Sequence, residues 1–249
     1  MNDTRSPRIF STDKGIVMVQ SETKNLIIDF LIERDMTGAE IREELDKAKS
    51  TVSVHLSDLT DLGIIDEKDH PDDERKKLFY LKSKLLGQSE APYDEHYKKI
   101  LANLKGSKGD EYEFLKSLFH LIRYGLISFG LDIHPALKEI GRDAGRSIGQ
   151  GFNSKTKENA LKEIADLWED TGLGTIKTEE SDYLVIEDCF DCDEMPDVGH
   201  TLCSLDEGII EGIIEETLDK KVIVTEKECH ATGADHCKFD LEWNGEKPD

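Results

Sequence analysis

Two cysteines, Cys229 and Cys237, lie near the end of the chain in the stretch ECHATGADHCKF at positions 228–239. If the residues around them form a hairpin, both sulfurs lie at the same end of two adjacent strands. Such a pair can supply half of a tetrahedral zinc site, form a disulfide, or consist of two buried thiols. The choice depends on the other side chains that the fold brings to this hairpin.

Three further cysteines are Cys189 and Cys192, spaced C-F-D-C, and Cys203. In a reducing compartment a C-x-x-C pair is either a metal clip or a redox-active thiol pair. Several acids surround this pair, and we expect them to raise the pKa of both thiols: Asp188, Asp191, Asp193 and Glu194. A single metal held by Cys189, Cys192, Cys229 and Cys237, with Cys203 free, is also compatible with the spacing.

The composition places these cysteines in a globular chain of 249 residues, long enough for two domains. No apolar run approaches the ~20 residues of a membrane span, and the first residues lack the apolar core of a secretory signal. We therefore expect a cytoplasmic protein without membrane contact, in which cysteines are ligands or redox groups. Residues 1–86 carry 14 basic and 18 acidic side chains, so most of the net charge of −22 belongs to the remainder.

The first 86 residues show the pattern of a helix-turn-helix followed by a β-hairpin. Apolar residues recur at helical spacing from Thr23 to Ile32, and Thr37 with Glu40 forms a capping box. A third helix is predicted with Ser50 as its N-cap and Gly63 as its stop. The following residues predict two strands, from Ile64 and through Tyr80, joined by a turn at His70–Asp73.

The third helix and the hairpin carry side chains that can bind DNA. The helix supplies lysines, hydroxyls and a histidine for phosphates and base edges: Lys47, Lys49, Ser50, Thr51, Ser53, His55 and Ser57. The hairpin adds Arg75, Lys76 and Lys77. The alternative is a solvated face on a protein-interaction domain. A single domain contacts few phosphates, so we expect a homodimer that reads a palindrome in double-stranded promoter DNA.

The stretch TGAEIREELDKAKSTVSVHLSDLTDLGII resembles the winged-helix domains of ArsR-like repressors. Beyond it, breaks at GQSEAP and GSKGD flank a short helix around Tyr93–Leu104, either a spacer or a dimer contact. The predicted organisation is a winged-helix domain over 1–86, a linker over 87–110 and a second domain over 111–249.

The second domain reads as α+β, with helices packed on an antiparallel sheet. Its first helix, from Glu113, is apolar on most faces and is therefore expected to be buried. A second helix contains Gly141, Gly145 and Gly149, a pattern that favours close approach of another backbone. A third helix places Trp168 in the core, and two strands are expected around a Glu-Ser turn at 180–181.

The glycine-rich helix, the Cys203–Gly212 stretch and ECHATGADHCKF together resemble the 4-vinyl reductase domain. With the winged helix ahead of it, the chain resembles the MsvR family, redox-responsive transcription regulators of methanogenic archaea. The resemblance implies a zinc ion held by one carboxylate and three thiolates: Cys203, Glu226, Cys229 and Cys237. It leaves Cys189 and Cys192 as the redox pair.

There are two reservations about this zinc site. Glu226 and Cys229 are three residues apart and would face opposite ways in a regular strand, so the site requires a bulge. His200, one helical turn before Cys203, competes for the fourth position.

Three functions compete at this stage. The first is a redox-responsive repressor, in which thiol or zinc chemistry controls promoter binding by the dimer. The second is a sensor of an aromatic or tetrapyrrole-like small molecule, with a pocket lined by Phe129, Trp168, Tyr183 and Phe190. The third, an enzyme, is disfavoured because the chain has no nucleotide or flavin fingerprint and the DNA reader would be unexplained.

Overall fold

A computed structural model describes residues 6–92, 94–178, 182–193, 195, 197 and 199–243. The described residues fall into two compact units. Unit 1 is Met1–Pro92 with Gly130–Ile133, and unit 2 is Tyr93–Phe129 with His134–Asp249. The fold class is α+β, as predicted. None of the described helices combines the length and the apolar content that crossing a bilayer requires.

Unit 1 contains three helices and seven short strands among the described residues. The helices are α1 (Glu22–Glu33), α2 (Gly38–Leu45) and α3 (Lys49–Asp61). The strands are β1 (Arg8–Thr12), β2 (Gly15–Val19), β3 (Met36–Thr37), β4 (Ile65–His70), β5 (Asp73–Leu81), β6 (Lys84–Ser89) and β7 (Leu131–Asp132).

The helix boundaries follow local chemistry. The Thr37 hydroxyl accepts from the Glu40 N–H, and the Glu40 carboxylate accepts from the Thr37 N–H at 2.7 Å, which confirms the capping box. Ser50 is not the N-cap of α3, because Ala48 is the last extended residue and Ser50 already lies in the first turn. Gly63 adopts a φ of 75° and ends the helix, as its position predicted.

The three helices share one core with the hairpin. Val52, Leu56 and Leu59 form the buried face of α3, as their spacing predicted. Strands β4 and β5 pair antiparallel, and the short strand β3 adds to the other side of β5. Helices α1 to α3 followed by this hairpin form a winged helix-turn-helix.

The sequence patterns did not predict a second sheet in unit 1. Its strands are ordered β2-β1-β6-β7, and all neighbours are antiparallel. Strands β1 and β2 form a hairpin that turns at Gly15, where φ is 106°. Phe10 and Val19 from this hairpin are buried in the core of unit 1.

Unit 2 contains five helices and four strands in the part of the chain that the structure describes. The helices are α4 (Asp94–Gly106), α5 (Glu111–Ser128), α6 (His134–Gly149), α7 (Lys157–Thr171) and α8 (Ser204–Leu218). The strands are β8 (Thr175–Lys177), β9 (Tyr183–Glu187), β10 (Val222–Glu228) and β11 (Cys237–Trp243).

The four strands form an antiparallel sheet in the order β10-β11-β9-β8. Trp168 of α7 is fully buried in the core of this unit, as predicted. The Glu-Ser turn expected at 180–181 lies outside the described residues.

Helices α6 and α8 pack backbone to backbone through glycines. A Cβ added to Gly145 would lie 2.1 Å from the carbonyl oxygen of Ile209, and one added to Gly212 would lie 2.1 Å from that of Arg142. This close approach is what the glycine-rich helix predicted. Arg146 on α6 then reaches Glu215 on α8 at 2.8 Å.

The expectation that α5 is buried on all sides is wrong. Its buried face is largely polar and includes Lys116, His120 and Arg123. Ile122 and Phe129 are instead 64% and 68% exposed. Apolar content alone predicted burial, but the neighbouring elements of unit 2 contact only one side of this helix.

A buried cysteine cluster and a candidate nucleic-acid surface

All five cysteines are fully buried and converge at one end of the sheet of unit 2. Cys203 is the N-cap of α8, Glu226 lies on β10, and Cys237 begins β11. Five ligating atoms lie within 4.8 Å of one another, those of Cys192, Cys203, Glu226, Cys229 and Cys237. The predicted set of one carboxylate and three thiols therefore lies together, and Cys192 joins it.

A bulge solves the spacing problem of Glu226 and Cys229. The pairing of β10 with β11 shifts register between Glu226 and Glu228, so the two ligands face the same side. A 3₁₀ turn at His230–Thr232 follows, and Gly233 closes it with a φ of 85°. The loop between the cysteines is thus a defined turn, and it brings both sulfurs to one place.

Cys189 and Cys192 lie in a tight loop after β9. The N–H of Cys192 donates to the carbonyl of Cys189 at 3.2 Å. The sulfur of Cys189 lies 3.6 Å from that of Cys203, and the sulfur of Cys192 lies 3.1 Å from that of Cys237. Together with Asp206, Cys189 and Cys203 form a second group of potential ligands that shares Cys203 with the first.

Glu226 provides a test of whether the cluster suits a cation. Its Oε2 accepts from the N–H of Cys203 at 2.9 Å, while its Oε1 is buried without a hydrogen-bond partner. Burial raises the pKa of Glu226 to about 9, and the nearby Cys229 contributes to the rise. A buried carboxylate oxygen without a partner costs free energy unless a cation or a proton satisfies it. The described Cys/Glu cluster could therefore hold a metal ion.

The thiols have different proton affinities. The hydrogen bond with Cys192 lowers the pKa of Cys189, and a hydrogen bond with Cys192 also lowers that of Cys229. The pKa of Cys192 is raised, chiefly because it donates to Cys189, and burial raises that of Cys203. The expectation that nearby acids raise both pKa values of the C-x-x-C pair is wrong for Cys189, since neighbouring thiols donate to it.

Helix α5 holds the cysteine loop through its polar face. The Arg123 guanidinium forms a buried ion pair with Asp191, and the Tyr124 hydroxyl donates to the Asp191 carbonyl at 2.8 Å. Lys116 contacts Asp193 at 3.0 Å. The loop that carries Cys189 and Cys192 is thus fixed to α5 by charged contacts on both sides of Cys192.

Two sets of sequence-predicted side chains lie elsewhere. His200 does not join the cysteine cluster; its ring stacks edge-on against that of His134 at 5.7 Å. The four aromatics considered for an effector pocket are spread over the end of α5, α7, β9 and the cysteine loop: Phe129, Trp168, Tyr183 and Phe190.

The predicted DNA-contacting side chains of α3 and the residues before it lie mostly on one exposed surface. The exposed ones are Lys47, Lys49, Ser50, Thr51, Ser53 and Ser57. His55 is half-buried, and its Nδ1 is buried without a hydrogen-bond partner. Arg42 on α2 was not predicted; it lines a cavity of about 650 Å³ together with Lys49 and Ser53. Its position one turn from the end of α2 is the signal that could have identified it.

The basic residues of the hairpin are exposed but paired with acids. Arg75 contacts Asp73 at 3.0 Å, and Lys77 contacts Asp69 at 2.6 Å. Lys76 lies 3.9 Å from Asp73. These exposed pairs are weak and can exchange for phosphate contacts, although each acid lowers the net positive charge of the wing.

Comparison with known families matches both units. Residues 21–67 match the arsR family of bacterial regulatory proteins, and residues 182–243 match the 4-vinyl reductase domain. An arsR-type helix-turn-helix implies DNA binding and points to a transcription regulator rather than an enzyme. The cysteine cluster lies within the second matched segment, residues 182–243.

Two curated relatives come from Methanocaldococcus jannaschii. The uncharacterized protein MJ0150 is 32% identical over 127 residues, which cover 49% of this chain and 72% of the relative. The uncharacterized protein MJ1642 is 27% identical over 129 residues, covering 50% and 75% of the two chains.

Two solved structures show a loose likeness. A vinyl-4-reductase family protein from the same organism has 19% identity and a TM-score of 0.37, covering 60% of this chain and 90% of that one. The phenol-responsive sensory domain of the transcription activator PoxR, solved with phenol, has 12% identity and a TM-score of 0.34, covering 66% and 79%.

Proposed function

Since this chain belongs to the same protein family as the uncharacterized protein MJ0150 and joins an arsR-family segment to a 4-vinyl reductase domain, we propose that it is a redox-responsive transcription regulator of the MsvR type. The observation that carries the proposal is the convergence of all five cysteines in one buried cluster of unit 2. A buried thiol cluster in a chain that also reads DNA has a direct use as a sensor.

The proposed cofactor is a zinc ion bound by Cys203, Glu226, Cys229 and Cys237. Three thiols and one carboxylate match the ligands that zinc prefers, and the buried Oε1 of Glu226 needs a cation or a proton. Zinc would fix α8, β10 and β11 to one another and keep the thiols deprotonated. Cys192 is a fifth candidate ligand, because its sulfur lies 3.1 Å from that of Cys237.

The proposed switch is the oxidation of Cys189 and Cys192 to a disulfide. The two thiols release two protons and two electrons to a peroxide or a small-molecule disulfide, and one S–S bond forms. Cys203 is the alternative partner of Cys189, at 3.6 Å between the sulfurs. Removing Cys192 from the cluster would also weaken any bond that it makes to the metal.

The proposed output is promoter binding by a homodimer acting as a repressor. Phosphate and base contacts come from α3, the residues before it and the wing: Lys47, Lys49, Ser50, Thr51, Ser53, His55, Ser57, Arg75, Lys76 and Lys77. The organisation stays as proposed from the sequence, with a reader over 1–86, a linker over 87–110 and a sensor over 111–249. Oxidation would change the spacing of the two readers and so weaken the fit to a palindrome.

An operator gel shift with and without reductant tests the switch. We expect reduced protein to bind and oxidised protein to release, and we expect Cys189→Ser and Cys192→Ser to bind under both conditions. If both variants respond to oxidant as the original protein does, the pair is not the switch. The control is Thr178→Ser, a small change at an exposed position of the same unit, which should leave the redox response intact.

Metal analysis of protein purified anaerobically tests the zinc site. We expect one zinc per chain, lost in Cys237→Ser and retained in Cys189→Ser. Absence of metal from the reduced original protein would remove zinc from the proposal and leave a thiol switch alone.

A further inference from the structure

Helix α5 presents an exposed apolar stripe on the side opposite to the cysteine loop. We call it the outer stripe, and it consists of Leu115, Leu118, Ile122, Leu126 and Phe129. Each of these side chains is between 36% and 68% exposed. At 100° per residue the five fall within one sector of the helix, while Lys116, His120 and Arg123 point the other way. A monomer gains nothing from holding this stripe in water.

The spacing of the outer stripe is symmetric about Ile122. Leu118 and Leu126 lie four residues before and after it, and Leu115 and Phe129 lie seven residues before and after it. Spacings of three, four and seven are those of a helix–helix seam. A stripe that reads the same in both directions is complementary to itself when a two-fold axis passes through its centre.

Charge also favours a second copy as the occupant. The chain has a net charge of −22, so most surfaces of two copies repel each other. Residues 94–129, which form α4 and α5, carry six basic and five acidic side chains. This segment is therefore one over which two acidic copies can approach without a large electrostatic cost.

The exposed area is sufficient for a dimer. The outer stripe is continued by Leu101 on α4 and Phe114 on α5, which are 42% and 47% exposed. Taking on the order of 200 Å² for each fully exposed side chain, these seven residues offer roughly 700 Å². A stable interface of standard size buries about 800 Å² on each partner.

We propose that the outer stripe of α5 packs antiparallel against the same stripe of a second copy, with Ile122 at the two-fold axis. Glu111 lies in line with the stripe at its N-terminal end, so parallel helices would bring two Glu111 carboxylates together and antiparallel helices keep them apart. Antiparallel packing also opposes the two helix dipoles. The inference deepens the proposed function, which requires a dimer, but it does not depend on redox chemistry.

The mass of the full chain in solution tests the interface. We expect the reduced protein to be a dimer at micromolar concentration by light scattering, and we expect Ile122→Glu to raise its dissociation constant by roughly a hundredfold or more. The matched control is Ile140→Glu on α6, because Ile140 is 59% exposed and lies outside the stripe. A monomeric original protein, a dimeric Ile122→Glu or an equally monomeric Ile140→Glu would each overturn the proposal.

Cross-linking tests the orientation. The native cysteines are fully buried, so a short bismaleimide reacts with an introduced exposed thiol. We expect Ile122→Cys to cross-link into dimers and Leu115→Cys not to, because the two Leu115 positions of an antiparallel pair are about 21 Å apart along the helix. Efficient cross-linking of Leu115→Cys would show that the helices are parallel.

These outcomes are independent of the regulatory proposal. A dimer through α5 that ignores oxidant in the gel shift would refute the switch and leave the interface standing. A redox-responsive protein that stays dimeric as Ile122→Glu would do the reverse.

Discussion

Substituting Gly145 by alanine should destabilise unit 2, although the same change usually stabilises a helix. The added Cβ would lie 2.1 Å from the carbonyl oxygen of Ile209 and 2.9 Å from the backbone nitrogen of Ile213. Both are backbone atoms of α8 and cannot rotate away. Ordinary contacts begin at 3.4 Å, so the two helices must separate by at least about 1.3 Å at this point.

The size of the effect follows from two opposing contributions. Overpacking a tight contact costs about 1–3 kcal/mol, and a backbone clash this short belongs at the upper end. Replacing glycine by alanine inside a helix returns about 1 kcal/mol. The net loss is therefore about 2 kcal/mol, which lowers the melting temperature of a unit of this size by roughly 4–8 °C.

Tryptophan fluorescence during urea unfolding measures this loss in unit 2 alone. The chain has two tryptophans, and both Trp168 and Trp243 lie in that unit. Gly106→Ala is the control, because a Cβ there meets nothing within 4 Å. If Gly145→Ala is as stable as the original protein or more stable, the backbone-to-backbone packing of α6 and α8 is wrong.

Three further predictions concern the site, pH and DNA. Glu226→Gln should keep the acceptor for the Cys203 N–H but lower the zinc content of the purified protein, measured by mass spectrometry; unchanged zinc would exclude this carboxylate as a ligand. Burial lowers the pKa of His120 to about 4 from 6.5, so the unfolded chain takes up the proton first as the pH falls below 6.5. The folded protein should therefore lose about 3 kcal/mol between about pH 7.5 and pH 4. His120→Phe should lack this loss in parallel urea titrations, and equal losses would refute it. Asp69→Asn should release Lys77 for phosphate, tighten operator binding and steepen its salt dependence by about one unit, whereas weaker binding would argue against wing contacts.

Local rules predicted the winged helix well. The Thr37 capping box, the Gly63 stop and the hairpin turn each depend on side chains within a few residues of one another. The sheet that begins with β1 could not be found in this way, because β1 pairs with β6, which lies far later in the chain. Nothing in a short window of sequence specifies such a partner.

The composition of the cysteine cluster was predictable only in part. Matching residue types gave Cys203, Glu226, Cys229 and Cys237, and the bulge after Glu226 makes the set geometrically possible. The position of Cys192 depends on how the loop after β9 folds back over the sheet, and that path is set by tertiary contacts. Sequence spacing therefore grouped Cys192 with Cys189 and missed its proximity to Cys237.

The two faces of α5 explain how chemistry at the cluster can reach a dimer interface. Arg123, on the inner face, forms a buried ion pair with Asp191, and the preceding residue, Ile122, is the centre of the outer stripe. A disulfide from Cys189 to Cys203, for example, shortens their sulfur separation from 3.6 Å to about 2.05 Å, which displaces the loop that carries Asp191. A buried charge cannot be left unpaired without a cost of about 3–5 kcal/mol, so Arg123 must follow Asp191. Because Arg123 and Ile122 share one helical backbone, the outer face moves with the inner one.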